Sequence, residues 1–148
     1  SDTNDCLLVT GKFDVSMKHF EGTYKASLIR DNKVEEFQVV KVRKPFTFIL
    51  RRNFLYAIKI EKEGYIYKLI SVNTHIPDGT DVSDLFKFTY QTNMIAEDLY
   101  HHFDDDDMDF PMALVEYKRK CDCFEYDAKY TAKLIERIVN VMMYGGHY

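Results

Sequence analysis

The sequence predicts a mainly β protein: a seven-stranded antiparallel sandwich of two sheets, with an extra edge strand and one C-terminal amphipathic helix. Tyr and Phe number eleven each among 148 residues, and with Val, Ile and Thr these residues favour pleated, half-buried surfaces. Short alternating or β-branched runs recur at intervals of about ten residues between turn-like polar clusters. Because no helical pattern intervenes between these runs, a two-sheet sandwich is favoured over a βαβ arrangement.

Seven runs before residue 95 are predicted to be strands. Asp31 and Asn32 tolerate turn conformations, so the second and third runs should form a hairpin. Pro45 interrupts the approach to the fourth run, and Gly64 and Gly79 mark later turns. The predicted strands cover residues 6–13, 23–30, 34–42, 46–50, 54–60, 65–74 and 85–94.

The remainder of the chain changes character. Residues 95–110 form an acidic loop, and residues 111–117 read as one more strand, placed on an edge because it contains Pro111. Asp127 is predicted to cap a helix whose apolar stripe docks on the sandwich. The stripe consists of Tyr130, Leu134, Ile138 and Val141 or Met142. We therefore expect one domain over residues 1–148, with the sandwich in residues 6–94 and an appended strand and helix in residues 111–148.

The charge pattern bears on partners. The net charge is −4, but residues 97–109 contain acids and no Lys or Arg, so the acidity is local. The remaining chain has no continuous basic stripe, which argues against nucleic acid as a partner. No apolar run reaches the ~18 to 20 residues that a membrane-spanning helix needs. The chain starts at Ser1 with polar residues and no Met, the pattern that signal-peptide removal or a trimmed chain leaves.

Three cysteines leave two alternatives open. Cys121 and Cys123 are spaced too tightly to close an unstrained bridge easily, so a bridge from Cys6 to either of them is the possible pairing. The more favoured alternative is three reduced or partly buried thiols. Cys121 and Cys123 would suit a soft metal or redox exchange if they shared a strand face, but the sequence offers neither a second pair nor a nearby His.

Two further features are weak candidates for ligand binding. His101, His102 and the acids Asp104 to Asp109 are the patch most suited to calcium, yet the spacing lacks the glycine and the distal Glu of a calcium loop, and a solvated acidic loop is favoured. Exposed aromatic residues can stack on sugars, although packing in the core is the commoner role. The aromatic candidates are Tyr65, Tyr67, Tyr90 and Tyr100.

The order of several motifs resembles the carboxypeptidase regulatory-like domain, a transthyretin-like seven-stranded sandwich. The similarity covers roughly residues 6–76 and departs from the family in the loops at residues 16–20 and 42–45. The matching pieces are Gly11, residues 21–28, residues 46–48, residues 56–60 and residues 63–65.

A second resemblance lies in the tail. Residues 110–117 and 124–127, with Tyr130 and Thr131 after them, are similar to the segment that follows such domains in envelope proteins of Bacteroidetes. The resemblance implies export to the periplasm or cell surface and no catalysis.

These patterns favour a non-catalytic interaction or structural module of the envelope, with another envelope protein as its partner. Contact is expected through sandwich loops or an exposed edge strand. No constellation of nucleophile, base or phosphate-binding loop is found in the sequence, and no catalytic residue, metal ligand or cofactor is predicted. A calcium- or carbohydrate-binding module is the alternative, a transthyretin-like hydrolase is less favoured, and the oligomeric state is left open.

Overall fold

The computed structural model describes residues 4–14, 22–93 and 113–127, together with residues 129, 130, 133 and 136. Within these residues the chain forms nine strands in two mixed sheets. In chain order the strands are β1 (Asp5–Asp14), β2 (Thr23–Arg30), β3 (Lys33–Lys41), β4 (Phe46–Arg51), β5 (Leu55–Glu61), β6 (Lys68–Asn73), β7 (Phe86–Asn93), β8 (Ala113–Lys118) and β9 (Cys123–Tyr126).

The sheets are not antiparallel throughout, so that part of the prediction is wrong. The smaller sheet has the order β4-β1-β7, and the larger has the order β3-β2-β5-β6-β8-β9. Strands β1 and β7 are parallel, as are β6 and β8, whereas the other neighbouring pairs are antiparallel. Alternation along a strand reveals which residues share a face but not the direction of a partner that is distant in sequence.

The tail contributes more to the sheet than the sequence indicates. Strand β8 was expected at an edge, but it lies between β6 and β9, and Pro111 itself is outside the described residues. Strand β9 was not predicted, because its four residues are too few to show a clear period. Among the described strands, β9 rather than β8 forms this edge of the larger sheet, with Tyr117 paired to Phe124 in the ladder.

Alternate residues of the central strands build the core between the sheets. Strand β5 turns Tyr56, Ile58 and Ile60 inward. Phe46 and Phe48 of β4 meet them from the smaller sheet. Gly11 pairs with Phe46, and a Cβ added to it would overlap the Phe46 ring, so this position of β1 accepts only glycine without movement of the core. The burial of these side chains supplies the main favourable term in folding.

The predicted hairpin between β2 and β3 is confirmed. Asp31 and Asn32 both have positive φ, 53° and 61°, which suits the right-handed twist of the two strands that they connect.

The start of the predicted helix lies within the described part of the chain. The backbone N–H of Tyr130 donates to Oδ1 of Asp127 over 3.1 Å, as in an N-cap. Lys129, Tyr130, Lys133 and Glu136 are helical, while the rest of the predicted helix and the acidic loop at residues 95–110 lie outside the described residues. Among the residues described, there is no helix whose length and apolar character would allow it to cross a membrane.

Candidate interaction surface

The candidate surface is built on β3, a free edge of the larger sheet. Strand β3 is nine residues long, and among the strands that the structure describes it pairs only with β2. Its other side presents backbone N–H and C=O groups that an additional strand can pair with. The sequence prediction that an edge strand serves as a contact site therefore has a concrete candidate in β3.

Val40 of β3 packs against the core, but the middle of the strand is oriented opposite to what its polarity suggests. Glu36 and Gln38 lie on the side that faces the core, because they pair with the buried Leu28 and Ala26 of β2. Phe37 and Val39 consequently point away from the core. A strand that packs on a core normally turns its apolar residues inward. Phe37 and Val39 point outward instead, so packing in the core does not explain why they are apolar.

Several apolar side chains extend this outward face into a patch. Val34, Phe37 and Val39 are 56%, 58% and 62% exposed, and Leu55 of β5 is 61% exposed. Ile29 of β2 pairs with Val34 and joins the β3 residues to β5. Single exposed apolar residues need no explanation, but a group of large ones on a free sheet edge marks an interaction site. We call Ile29, Val34, Phe37, Val39, Leu55 and the free edge of β3 the β3 surface.

An open groove continues the β3 surface across the sheet. Its volume is about 300 Å³, and Ile29, Leu55, Ala57 and Ser71 are among its lining residues. Ile29, Leu55 and Ala57 give the groove apolar walls, and Asp31 and Asn32 of the turn between β2 and β3 also line it. The groove is therefore suited to an apolar side chain from a bound segment.

Charges border the β3 surface. Lys25 pairs with Val39 and shares its outward face, and its ammonium lies 4.7 Å from the centre of the Phe37 ring. Lys33 and Lys41 occupy the two ends of β3. An apolar centre with a charged rim is the usual anatomy of a protein–protein interface.

The edge formed by β4 is covered where β3 passes it. Nε2 of Gln38 donates to the carbonyl oxygen of Thr47 over 2.5 Å, and the N–H of Thr47 donates to Oε1 of Gln38 over 3.3 Å. The side-chain amide thus takes the place of a neighbouring strand at Thr47. These two hydrogen bonds explain why Gln38 points inward. They also hold β3 in the register in which Phe37 and Val39 point outward.

Two of the four aromatic candidates pack in the core, the role that the sequence favoured over a sugar-binding platform. Tyr65 and Tyr90 are buried, at 6% and 5% exposure. Tyr67 is half-buried, and the Lys59 ammonium lies 4.5 Å from the centre of its ring. Tyr100 lies outside the described residues. The described tyrosines therefore do not form a shared exposed face for a sugar.

The cysteines pair differently from both alternatives that the sequence left open. Cys121 and Cys123 form a disulfide, with their Cα atoms 5.2 Å apart. Asp122 between them has a φ of 50°, in the left-handed region, and this turn brings the two neighbouring side chains together. Cys6 is a free thiol that is fully buried, and burial raises its pKa to about 11.

The proposed calcium patch is not placed by the structure. His101, His102 and Asp104 to Asp109 lie outside the described residues. Calcium binding by this segment therefore stays a prediction.

Sequence reasoning missed the β3 surface, although its signal is present. The segment 33–41 was interpreted only as a returning strand of the hairpin. Phe37 and Val39 alternate with Glu36 and Gln38, a pattern that by itself places the aromatic residue inside. The tertiary register was needed to show that it lies outside.

Comparison of the whole chain with protein-family models and with curated proteins yields no match.

Proposed function

We propose that this chain is a non-catalytic protein-binding module of the bacterial envelope, which pairs an extended segment of another envelope protein with the free edge of β3. The observation that carries the proposal is the outward orientation of Phe37 and Val39 on an edge strand. Main-chain hydrogen bonds to a free edge provide affinity, and alternate side chains provide specificity.

The occupant we favour is a β-strand with apolar residues at alternate positions. Such a strand would place its apolar side chains beside Phe37, Val39 and the groove at Leu55. Its charged residues would meet Lys33 and Lys41 at the ends of β3. The envelope location and the likeness to carboxypeptidase regulatory-like domains are part of this proposal, and they rest on the sequence motifs.

Site-specific photo-crosslinking tests the proposal in cells of the source organism. A photoreactive residue at Val39 should give a discrete adduct with another protein, because it lies on the proposed contact. The same residue at Thr89, an exposed position of β7 in the smaller sheet, is the matched control. Peptides that span the crosslinked protein should include one that binds the purified chain.

Val39→Lys tests whether that peptide uses the β3 surface. The substitution should weaken peptide binding at least about tenfold, which corresponds to about 1.4 kcal/mol. Because position 39 is exposed, the unfolding free energy should change by less than about 0.5 kcal/mol. Equal adducts at positions 39 and 89, or peptide binding unaffected by Val39→Lys, would refute the proposal.

A further inference from the structure

The turn between β8 and β9 brings three metal-ligating side chains together. Cys121 and Glu125 are exposed and Cys123 is half-buried. The two sulfur atoms and a carboxylate oxygen of Glu125 all lie within 4.8 Å of one another. Cys123 and Glu125 are two positions apart on β9, so they share the face of the sheet that points away from the core.

Contacts other than the disulfide also hold this hairpin in place. The Tyr117 hydroxyl donates to Oδ1 of Asp122 over 2.5 Å, which fixes the turn to β8. The Phe124 ring packs edge-on against Tyr117 and against Phe86, with ring centres 5.9 and 5.6 Å apart. A bridge that encloses a single residue restricts the unfolded chain very little. The disulfide therefore contributes little to stability through the unfolded chain, and a chemical role for it is worth testing.

We propose that Cys121, Cys123 and Glu125 form a redox-gated site for a thiophilic divalent cation such as zinc. The oxidised form has no thiolate to offer and is closed to the metal. The reduced form offers two thiolates and a carboxylate, a donor set that suits zinc and leaves a fourth position for water.

The opening step is thiol–disulfide exchange with a dithiol. One thiolate of the dithiol attacks Sγ of the exposed Cys121, the S–S bond breaks, and its electron pair leaves with Cys123. The second thiol of the reagent then attacks the mixed disulfide and releases Cys121, so the reagent becomes a disulfide and its two protons pass to the protein thiols. Metal binding subsequently releases both protons.

The metal needs only small movements of the side chains. A tetrahedral zinc ion with Zn–S bonds of about 2.3 Å places its two sulfur ligands roughly 3.8 Å apart. Rotation about the side-chain bonds of the exposed Cys121 can supply that separation. The carboxylate of Glu125 is already within reach of both sulfur atoms.

Titration with Co²⁺ tests the proposal, because thiolate ligation produces a charge-transfer absorption that His and carboxylate ligands do not. The protein is first reduced with a phosphine, which becomes the phosphine oxide as water supplies the oxygen and the two thiol protons. The reduced chain should then show this absorption, saturating at one Co²⁺ per chain, and Zn²⁺ should abolish it. The oxidised chain should show none.

Three variants separate this site from other metal-binding groups of the chain. The double variant C121S/C123S should lose the absorption, while Cys6→Ser should keep it because Cys6 is buried in the core. Glu125→Gln should require about tenfold more Co²⁺ for half-saturation, as expected when a ligand is lost. Circular dichroism checks that each variant is folded. Absence of the absorption in the reduced parent, its persistence in C121S/C123S, or an unchanged titration of Glu125→Gln would overturn the proposal.

Discussion

At the scale of single residues, Thr74 links the end of β6 to the end of β4 and the start of β5 through hydrogen bonds. Its buried hydroxyl donates to the carbonyl oxygen of Arg51 over 2.5 Å and accepts the N–H of Phe54 over 3.0 Å. Its backbone N–H donates to the carbonyl oxygen of Phe54 over 2.9 Å. The Thr74 hydroxyl thus forms hydrogen bonds with backbone groups on both sides of the turn between β4 and β5.

Thr74→Val should lower the unfolding free energy by about 1 to 3 kcal/mol, because it leaves the buried N–H of Phe54 without its acceptor. Urea denaturation measures the change. Thr89→Val, the same substitution at an exposed position of β7, should remain within about 0.5 kcal/mol of the parent. Equal stability of the two variants would contradict this account of Thr74.

Lys68 is a buried cation whose side chain lies on the core-facing side of β6. It is 7% exposed and pairs with Ile60 across the ladder. Burial lowers the pKa of Lys68 from its ordinary 10.5 to about 8. Between these two pH values the unfolded chain binds the proton more strongly than the folded chain, so stability should rise with pH. Below about pH 8 the full free-energy cost of burying the charged Lys68 side chain is present.

Lys68→Met should therefore stabilise the protein at pH 7, by up to about 3 kcal/mol for a shift of this size. The advantage of the variant over the parent should shrink as the pH rises from about 8 to 10.5. Cys6, whose pKa is also shifted, is present in both proteins, so its titration cancels from their difference over this range. Urea denaturation across this range gives the difference.

Leu69→Met is the control for Lys68→Met, because it alters the next position of β6 without changing charge. Its stability should run parallel to that of the parent at every pH. A constant difference between Lys68→Met and the parent would show that burial of the cation does not set its pKa.

At the scale of elements, the two strands of the tail close one side of the sandwich. Tyr126 of β9 lies against Phe88 of β7, with ring centres 5.0 Å apart and nearly perpendicular planes. Phe124 lies between Phe86 and Tyr117. On the other side, Gln38 of β3 bonds to Thr47 of β4. Strands β8 and β9 are therefore part of the larger sheet and its core, rather than an appendage.

The same substitution at two phenylalanines distinguishes this closing contact from the β3 surface. Phe124→Ala should lower the unfolding free energy by about 3 to 5 kcal/mol, because it leaves a cavity beside the rings of Phe86 and Tyr117. Phe37→Ala should change it by less than about 0.5 kcal/mol, since Phe37 is 58% exposed. Comparable losses in the two variants would mean that β3 packs against the body of the protein.

At the scale of the whole molecule, the two sheets depend on each other. Strand β1 is central in the smaller sheet, and its Cys6 is fully buried in the shared core. Access to this thiol therefore requires separation of the sheets. The high pKa of Cys6, about 11, further lowers its reactivity at neutral pH.

We expect a thiol reagent to label no cysteine in the native, oxidised protein and one cysteine per chain after denaturation. The labelling of Cys6 in increasing urea should follow the loss of β structure measured by circular dichroism, because both report global opening. Labelling at urea concentrations that leave the circular dichroism unchanged would contradict this, by showing a local route to the core.

Much of the fold follows from the sequence through local periodicity. The alternation in residues 54–60 places Tyr56 and Ile58 inside, and Asp31 and Asn32 mark the hairpin, because side-chain direction and turn conformation depend on near neighbours. The candidate site is different. Whether the apolar face of β3 points inward depends on its pairing with β2 and on the bond from Gln38 to Thr47, and periodicity contains neither.

The sequence by itself therefore determined a mainly β chain, the positions of most strands and the hairpin at Asp31 and Asn32, since alternation and turn conformation depend on near neighbours. Only the tertiary structure decided the parallel pairings, the place of β8 inside the sheet, the Cys121–Cys123 bridge and the exposure of Phe37 and Val39. Each of these depends on contacts with residues distant in sequence or on the geometry of a particular turn. The polarity of the residues does not specify such contacts.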